Sequence, residues 1–365
     1  MNRVSLSFRK KGDALMKNKK FNKKIEVIEL CAGIGQTSIG LRNACDRLGI
    51  HMKINAFCEI DEQASRAYIA LHDGNIPNLK DITKASFKDM RCDILLATTP
   101  CTNISRIGNR KGFKENSDTA SAIVWSVFRI IDELKEKPKI IFFENVSAMV
   151  DANNRDDFNT FKSRLEAIGY KVRYKVLDAQ DFGIPQHRER VCIVCTLTTS
   201  CCDFDFPKGE PLKVFLKDIL EKNPLPKYLM PTIAHQIDDA RRRGYTFRVF
   251  NPRKAKVAYT LTTKSRGQSN NNYVFVDNVN CDEVVRFTKN NLFDNYKYLS
   301  IRSLTRLEQG RLMGMSDEDI HKLDFVSDTQ FSKQMGNGIV INVVEKIFIN
   351  VLKAMFLSKD NKRVA

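Results

Sequence analysis

The chain has 365 residues, 42% of them hydrophobic and 28% charged, enough to bury a sizeable core in two domains. No apolar run approaches the roughly 18–20 residues that span a bilayer, and the first residues lack the apolar stretch of a secretory signal, so a cytoplasmic protein without membrane contact is expected. Sixty Lys and Arg against 43 Asp and Glu give a formal charge of +17, which points to a polyanionic partner and says nothing about fold.

Residues 9–24, "RKKGDALMKNKKFNKK", hold eight basic residues and one acid, and residues 1–24 read as a flexible basic arm. "KIEVIELCAG" then predicts a strand ending in glycines, and "QTSIGLRNACDRLG" a helix. "INAFCEID" is a second strand and "EQASRAYIALHD" a second helix. "CDILLATTP" is a strand, "SAIVWSVFRIIDELKEKP" a helix and "KIIFFENV" a strand. "FNTFKSRLEAIGY" is a helix, and "KVRYKVLDA" and "RERVCIVCTL" are strands with no helix between them. Strands alternating with helices predict an α/β fold with a parallel, doubly wound sheet, and the last pair predicts one antiparallel strand at its edge.

Beyond about residue 200 the helical spacing weakens. Short β-like runs, "YTFRVF", "VAYTLTT" and "NYVFVD", lie among Gly, Asn and Ser, which predicts a smaller, irregular β-rich domain. From Arg241 to Arg266 there are nine basic residues and no acid, interleaved with Tyr245, Phe247, Phe250 and Tyr259. Charges for phosphates and rings for bases make this a candidate nucleic-acid face, with Arg241, Arg242 and Arg243 at its start. Helical patterns return after residue 300 in "SLTRLEQGRLMG" and "GIVINVVEKIFINVLKAMF".

The 10 cysteines are scattered, as reduced thiols are. Cys192, Cys195, Cys201 and Cys202 lie close together, but the first two sit in a predicted strand, where side chains three apart diverge, so no metal site is expected.

"IELCAGIG", residues 28–35, sets Gly33 and Gly35 between a strand and a helix, where a ligand can approach the backbone. Ser38 stands where a dinucleotide fingerprint has its third glycine, which favours an adenosyl ligand without pyrophosphate. Glu59 closes the next strand, where a carboxylate can take ribose hydroxyls. Asp81 in "LKDIT" is either an adenine contact or a turn residue. Cys101 follows a proline at the end of the apolar run "DILLATT".

With "PC" at 100–101, "ENV" at 144–146, "QHRER" at 186–190, "LTRLEQGRLMG" at 304–314 and "QMGNGIVINVV" at 334–344, the chain resembles the cytosine-5 DNA methyltransferase family of bacterial or phage type. The resemblance implies a Rossmann-like class I methyltransferase sheet over residues 25–197 plus 300–357, with a target recognition domain over 198–299. It implies S-adenosylmethionine as cofactor, held by Cys31, Gly33, Gly35, Glu59, Asp81, Pro100 and Asn337. Cys101 would add as thiolate to C6 of a flipped-out cytosine, so that C5 takes the methyl group. Glu144 would hold the base through N3 and its amine, sharing a proton, and Arg190 would hold the base oxygen. Arg188 and Gln186 would order the site or touch phosphate, and Thr260 would contact phosphate near the flipped nucleotide.

The expected partner is double-stranded DNA, the expected enzyme a monomer, and a cognate restriction endonuclease would act without a stable complex. A tRNA cytosine-5 methyltransferase and a catalytically silent DNA-binding homologue are the alternatives. Three departures from the family pattern stand out: Thr102 and Asn103 after the cysteine, Gln36 where glycine is common, and Cys31 in place of an aromatic.

Overall fold

Val27, Ile28 and Leu30 are fully buried, as a strand covered on both faces requires. In the computed structural model the described residues are 22–72, 74–100, 113–114, 120–200, 202–230, 233–244, 246–263, 272–276, 281–287 and 300–360. Most of the expected basic arm lies outside them. They divide into two compact units, one of residues 22–178, 189–209 and 341–360, the other of 179–188 and 210–340. This division differs from the expected domains at 198–209, which fall with the larger unit, and at 179–188 and 300–340, which fall with the smaller. At 300–340 the reason is local: Ile301–Ser303 is a strand of the smaller sheet, paired with Tyr273–Phe275.

The first unit alternates strand and helix: β1 (Lys23–Leu30), α1 (Gln36–Leu48), β2 (Ile50–Cys58), α2 (Glu62–His72), β3 (Ile94–Ala97), α3 (Ser126–Glu133), β4 (Ile140–Val146), α4 (Arg155–Ala167), β5 (Tyr170–Asp178) and β6 (Glu189–Leu197). The sheet order is β2-β1-β3-β4-β6-β5. β2, β1, β3 and β4 run parallel, and β6 is antiparallel to both its neighbours. The antiparallel strand is therefore not at the edge, as expected, but one place in. Burial explains the order. Val191 to Cys195 are all fully buried, whereas three consecutive residues of β5, Tyr174 to Val176, are exposed, as an edge tolerates.

One side of the sheet carries an aromatic cluster in which Phe161 meets Phe113, Trp125, Phe128 and Phe143 edge-on. The last helix, Ile341–Asp360, packs on α1 so closely that a Cβ on Gly40 would fall 2.6 Å from Val344 Cβ. No described helix is long and apolar enough to cross a membrane.

The second unit contains α5 (Leu216–Ile219), α6 (Ile233–Arg242), β7 (Phe247–Phe250), β8 (Tyr273–Phe275), β9 (Val284–Phe287), β10 (Ile301–Ser303), α7 (Arg306–Leu312), α8 (Asp317–Lys322) and α9 (Asp328–Asn337). Its sheet runs β10-β8-β7-β9, over a core that includes Ile237, Val249, Tyr273 and Phe287. Two expectations change here. Residues 233–242, not read as helical, form α6. "VAYTLTT" forms no strand: only Ala258 bridges, to Gln186, and Tyr259 pairs through both its backbone groups with the amide of Asn272.

Candidate active site

The loop after β1 is built from left-handed backbone. Cys31, Gly33 and Gly35 have φ of 51°, 57° and 82°. The two glycines serve different ends. A Cβ on Gly35 would fall 2.1 Å from His72 Nε2 and 2.7 Å from Tyr68, whereas one on Gly33 would meet nothing within 4 Å. One flank of the loop is therefore packed and the other open. Ala32 N–H donates to the Cys58 carbonyl at 2.9 Å, joining the loop to the end of β2.

Glu59, just past β2, accepts from Gly33 N–H at 2.8 Å and, through its other oxygen, from Asp61 N–H at 2.7 Å. Its position is further set by Asn78, whose amide spans the Glu59 backbone N–H and carbonyl. One oxygen of Asp81 accepts from the Thr83 hydroxyl at 2.7 Å and from Thr83 N–H at 2.9 Å. Those bonds hold its carboxyl below the usual range. Ile60, which the sequence reading passed over, is 74% exposed beside Glu59. Burial pushes the Cys31 thiol far up, so it is a neutral wall of the loop.

The ends of β3 and β4 are tied to this loop. The Thr98 hydroxyl donates to the Cys31 carbonyl at 3.0 Å, and the Asn145 amide donates to the Thr99 carbonyl at 3.2 Å. Pro100 is half-buried. Cys101, Thr102 and Asn103 lie outside the described residues. Asn145 stands inside the quoted "ENV" run, but only its structural partner reveals its task.

Glu144 lies near the end of β4 and is 7% exposed. Arg190 Nε lies 3.1 Å from its Oε1. The antiparallel β6 creates this pair, because its first residues run past the last residues of β4: Val146 opposes Arg190 and Glu144 opposes Cys192. Arg190 is steadied by a further bond to the Glu189 carbonyl at 2.8 Å. Cys192 and Cys195 are fully buried, and burial pushes both thiols far up.

In the second unit Gln186 and Arg188 are 0% and 1% exposed. The Gln186 amide donates to the Leu312 carbonyl at 2.7 Å and accepts from Leu261 N–H at 2.9 Å. Arg188 donates to the carbonyls of Leu261 at 3.0 Å, Gly336 at 2.8 Å and Gly338 at 2.5 Å. Both side chains are thus engaged by backbone groups of residues 261, 312, 336 and 338.

Thr260 donates its hydroxyl to the His187 carbonyl at 2.6 Å, which ties residues 258–261 to the same segment. Gly336 permits a close crossing, since a Cβ there would sit 2.3 Å from the Thr262 carbonyl carbon. Asn337 ends α9 beside it, in a turn that Arg188 fixes from both sides.

"LTRLEQG" proves to be structural. Thr305 and Glu308 form a capping box, and Glu308 takes Arg302 in a buried two-pronged pair at 2.8 Å and 2.8 Å. The box was legible as Thr-x-x-Glu; Arg302 was not.

Arg242 and Arg243 have well-exposed side chains, and both lie near Asp239, at 3.8 Å and 3.1 Å. The acid-free run thus borrows an acid from the preceding helical turn. The side chain of Arg241 lies outside the described residues.

The family model for C-5 cytosine-specific DNA methylase matches residues 25–353. The Type II methyltransferase M2.ScrFI of Lactococcus lactis subsp. cremoris is 31% identical over 77% of this chain and 71% of its own. The Type II methyltransferase M.BsuFI of Bacillus subtilis is 31% identical over 89% of this chain and 71% of its own. Among solved structures, the Entamoeba histolytica methyltransferase EhMeth superposes with a TM-score of 0.70 at 20% identity, over 92% of this chain and 99% of its own, a likeness of fold.

Proposed function

Because the chain belongs to the C-5 cytosine-specific DNA methylase family, we propose that it methylates C5 of a cytosine within a specific double-stranded DNA sequence, using S-adenosylmethionine. The observation that carries this reading is the Glu144–Arg190 pair, held at the same sheet end as the glycine loop and Pro100. Open α/β sheets bind ligands outside the carboxyl ends of their parallel strands.

The loop fits an adenosyl ligand. Gly33 leaves space where a side chain would stand, Glu59 presents carboxylate oxygens at the next strand end, and Ile60 exposes an apolar side chain beside it. S-adenosylmethionine, when bound, supplies an electrophilic methyl group on a sulfonium. We assign its binding to Cys31, Gly33, Gly35, Glu59, Asp81, Pro100 and Asn337.

Cys101 follows Pro100 and is assigned as the nucleophile that adds to C6 of the target cytosine, leaving C5 electron-rich. Glu144 faces N3 and the exocyclic amine, and Arg190 faces the base oxygen while holding Glu144 in place. After methyl transfer a base removes the C5 proton and the thiolate leaves. A base inside a duplex is out of reach of such groups, so the cytosine is flipped out. Residues 198–299 are assigned to target recognition. The relatives named above are Type II methyltransferases, and a monomer working alongside a restriction endonuclease, without a stable complex, belongs to the same reading.

Incubation with S-adenosylmethionine and duplex DNA containing 5-fluorocytosine tests it. A denaturant-stable adduct is expected, and Cys101→Ser should form none while still binding DNA. A tRNA transcript run in parallel should stay unmethylated. No adduct from the unmodified protein on a DNA library, or turnover by Cys101→Ser within about tenfold of it, a barrier change of only about 1.4 kcal/mol, defeats the assignment. Bisulfite sequencing of the methylated library then reads the recognised sequence.

A further inference from the structure

Arg248 on β7 stands directly opposite Arg286 on β9. Their strand neighbours Phe247, Val249, Val285 and Phe287 point into the core of the smaller unit, so both arginines belong to the other face of the sheet. Like charges directly opposite each other weaken a strand pair. A local rule broken inside a regular element marks function more often than neglect, and an anionic partner relieves this one.

The two arginines are not equally placed. Arg286 is exposed, whereas Arg248 is half-buried with its Cζ 4.8 Å from the centre of the Tyr259 ring. Tyr259 in turn packs on Phe250, the residue two beyond Arg248 on the same face, with ring centres 5.7 Å apart. The backbone that carries this ring is fixed on both sides. Asn272, 1% exposed, accepts from Tyr259 N–H at 2.8 Å and donates to its carbonyl at 3.0 Å. The next residue, Thr260, donates to the His187 carbonyl at 2.6 Å. The guanidinium laid on Tyr259 therefore has little freedom left to lose when a partner arrives.

That difference separates two kinds of contact with DNA. A guanine edge in the major groove offers two acceptors, O6 and N7, which a planar fork meets with two parallel bonds, so a fixed plane is an advantage there. A phosphate asks mainly for charge, and an exposed, flexible arginine supplies it. We propose that Arg248 reads a guanine of the recognised sequence and that Arg286, opposite it, takes a backbone phosphate. The proposal rests on the DNA reading above. Tyr259 is then a positioning residue for Arg248.

The test is methylation of a randomised duplex library by the full chain, read by bisulfite sequencing. The preference at each position is a ratio within one sample, so a partly unfolded variant still reports it. Arg248→Gln should lower the preference for guanine at one position by about tenfold or more and leave the other positions unchanged. Arg248→Lys, which keeps the charge and loses the fork, should fall as far. Tyr259→Leu should blunt the same preference and Tyr259→Phe should retain it. Arg286→Gln should weaken binding to all sequences alike and lower the slope of log affinity against log salt by about one.

A guanine preference intact in Arg248→Lys, or a loss spread evenly over all positions in Arg248→Gln, assigns Arg248 to charge or packing and overturns the proposal. A parent protein that methylates no DNA sequence overturns the DNA reading, and the role of Arg248 with it. A parent that methylates a defined sequence, with Arg248 variants that keep its profile, overturns the role of Arg248 alone.

Discussion

Arg190 Nε lies 3.1 Å from Glu144 Oε1, and the two meet only because β6 runs against β4. They are diagonal neighbours across the ladder, not direct opposites, a spacing that long side chains bridge. A parallel strand in the same place would have brought its other end to Glu144. The one antiparallel insertion in the sheet therefore sets a cation beside the carboxylate assigned to the base.

The pair should be strongly coupled. Arg190→Ala removes the guanidinium from a carboxylate that is 7% exposed, and a loss of about 3–5 kcal/mol in urea denaturation is expected. Adding Glu144→Gln should recover more than half of that loss while leaving the protein without methyl transfer. Additive effects of the two changes would show that the pair is not coupled in solution.

Stability should carry a signature of Glu29. This carboxyl is buried behind the glycine loop, and burial raises its pKa from 4.5 to about 7, against the opposing bonds from Ser38. The unfolded chain ionises Glu29 near pH 4.5 and the folded chain only near pH 7, so within that window the folded state binds the extra proton. Stability contributed by Glu29 is thus full below about pH 4.5 and is lost as pH rises to about 7, by roughly 3 kcal/mol over the window. Glu29→Gln should flatten that slope relative to the parent. Parallel stability curves for the two proteins would refute the shift.

DNA binding should depend steeply on salt. If the basic run engages about six phosphates, affinity falls about a thousandfold between about 50 and 200 mM salt. Asp239 stands against this, since it lies by both Arg242 and Arg243. Asp239→Asn should steepen the slope and tighten binding to all sequences, and Arg242→Glu with Arg243→Glu should flatten it. An unchanged slope in both variants places these cations away from DNA.

Exchange of the target recognition segment should move sequence specificity and leave chemistry intact, and the fold says where to cut. A graft ending at residue 299 separates β8 from its partner β10, and Glu221 N–H from the Glu308 carboxylate it donates to at 2.7 Å. Grafts spanning residues 210–314 should be soluble more often than grafts of 198–299. A soluble chimera that still methylates the original sequence, read by bisulfite sequencing, would show that specificity is read elsewhere.

The alternation of strands and helices was legible because apolar runs such as "IIFF" and the helical spacing of α1 are local. The position of β6 was not, since its apolar run fits any inner place in the sheet, and only the exposure of Tyr174 to Val176 on β5 shows which strand is outermost. α6 escaped notice because its buried face rests on few residues, Ile237 and Ala240 among them. "VAYTLTT" looks like a strand by composition, yet a side-chain amide, Asn272, takes the bonds a neighbouring strand would have taken. Glu59, Glu144 and the glycine loop stood out as residue types at strand ends. The burial of Gln186 and Arg188 did not, because their partners are backbone groups far along the chain and a backbone group leaves no mark in a sequence.

Those distant carbonyls bear on how the protein comes into being. Arg188 bonds Leu261, Gly336 and Gly338, which are 73, 148 and 150 residues further on. Bonds of such separation close long loops and form late in folding. On the ribosome, Arg188 emerges well before any of its partners and waits, charged and hydrated, until Gly338 has followed. A product halted before that point would offer this guanidinium the carbonyl of Leu261 but not those of Gly336 and Gly338, so two of its three bonds wait on the later part of the chain.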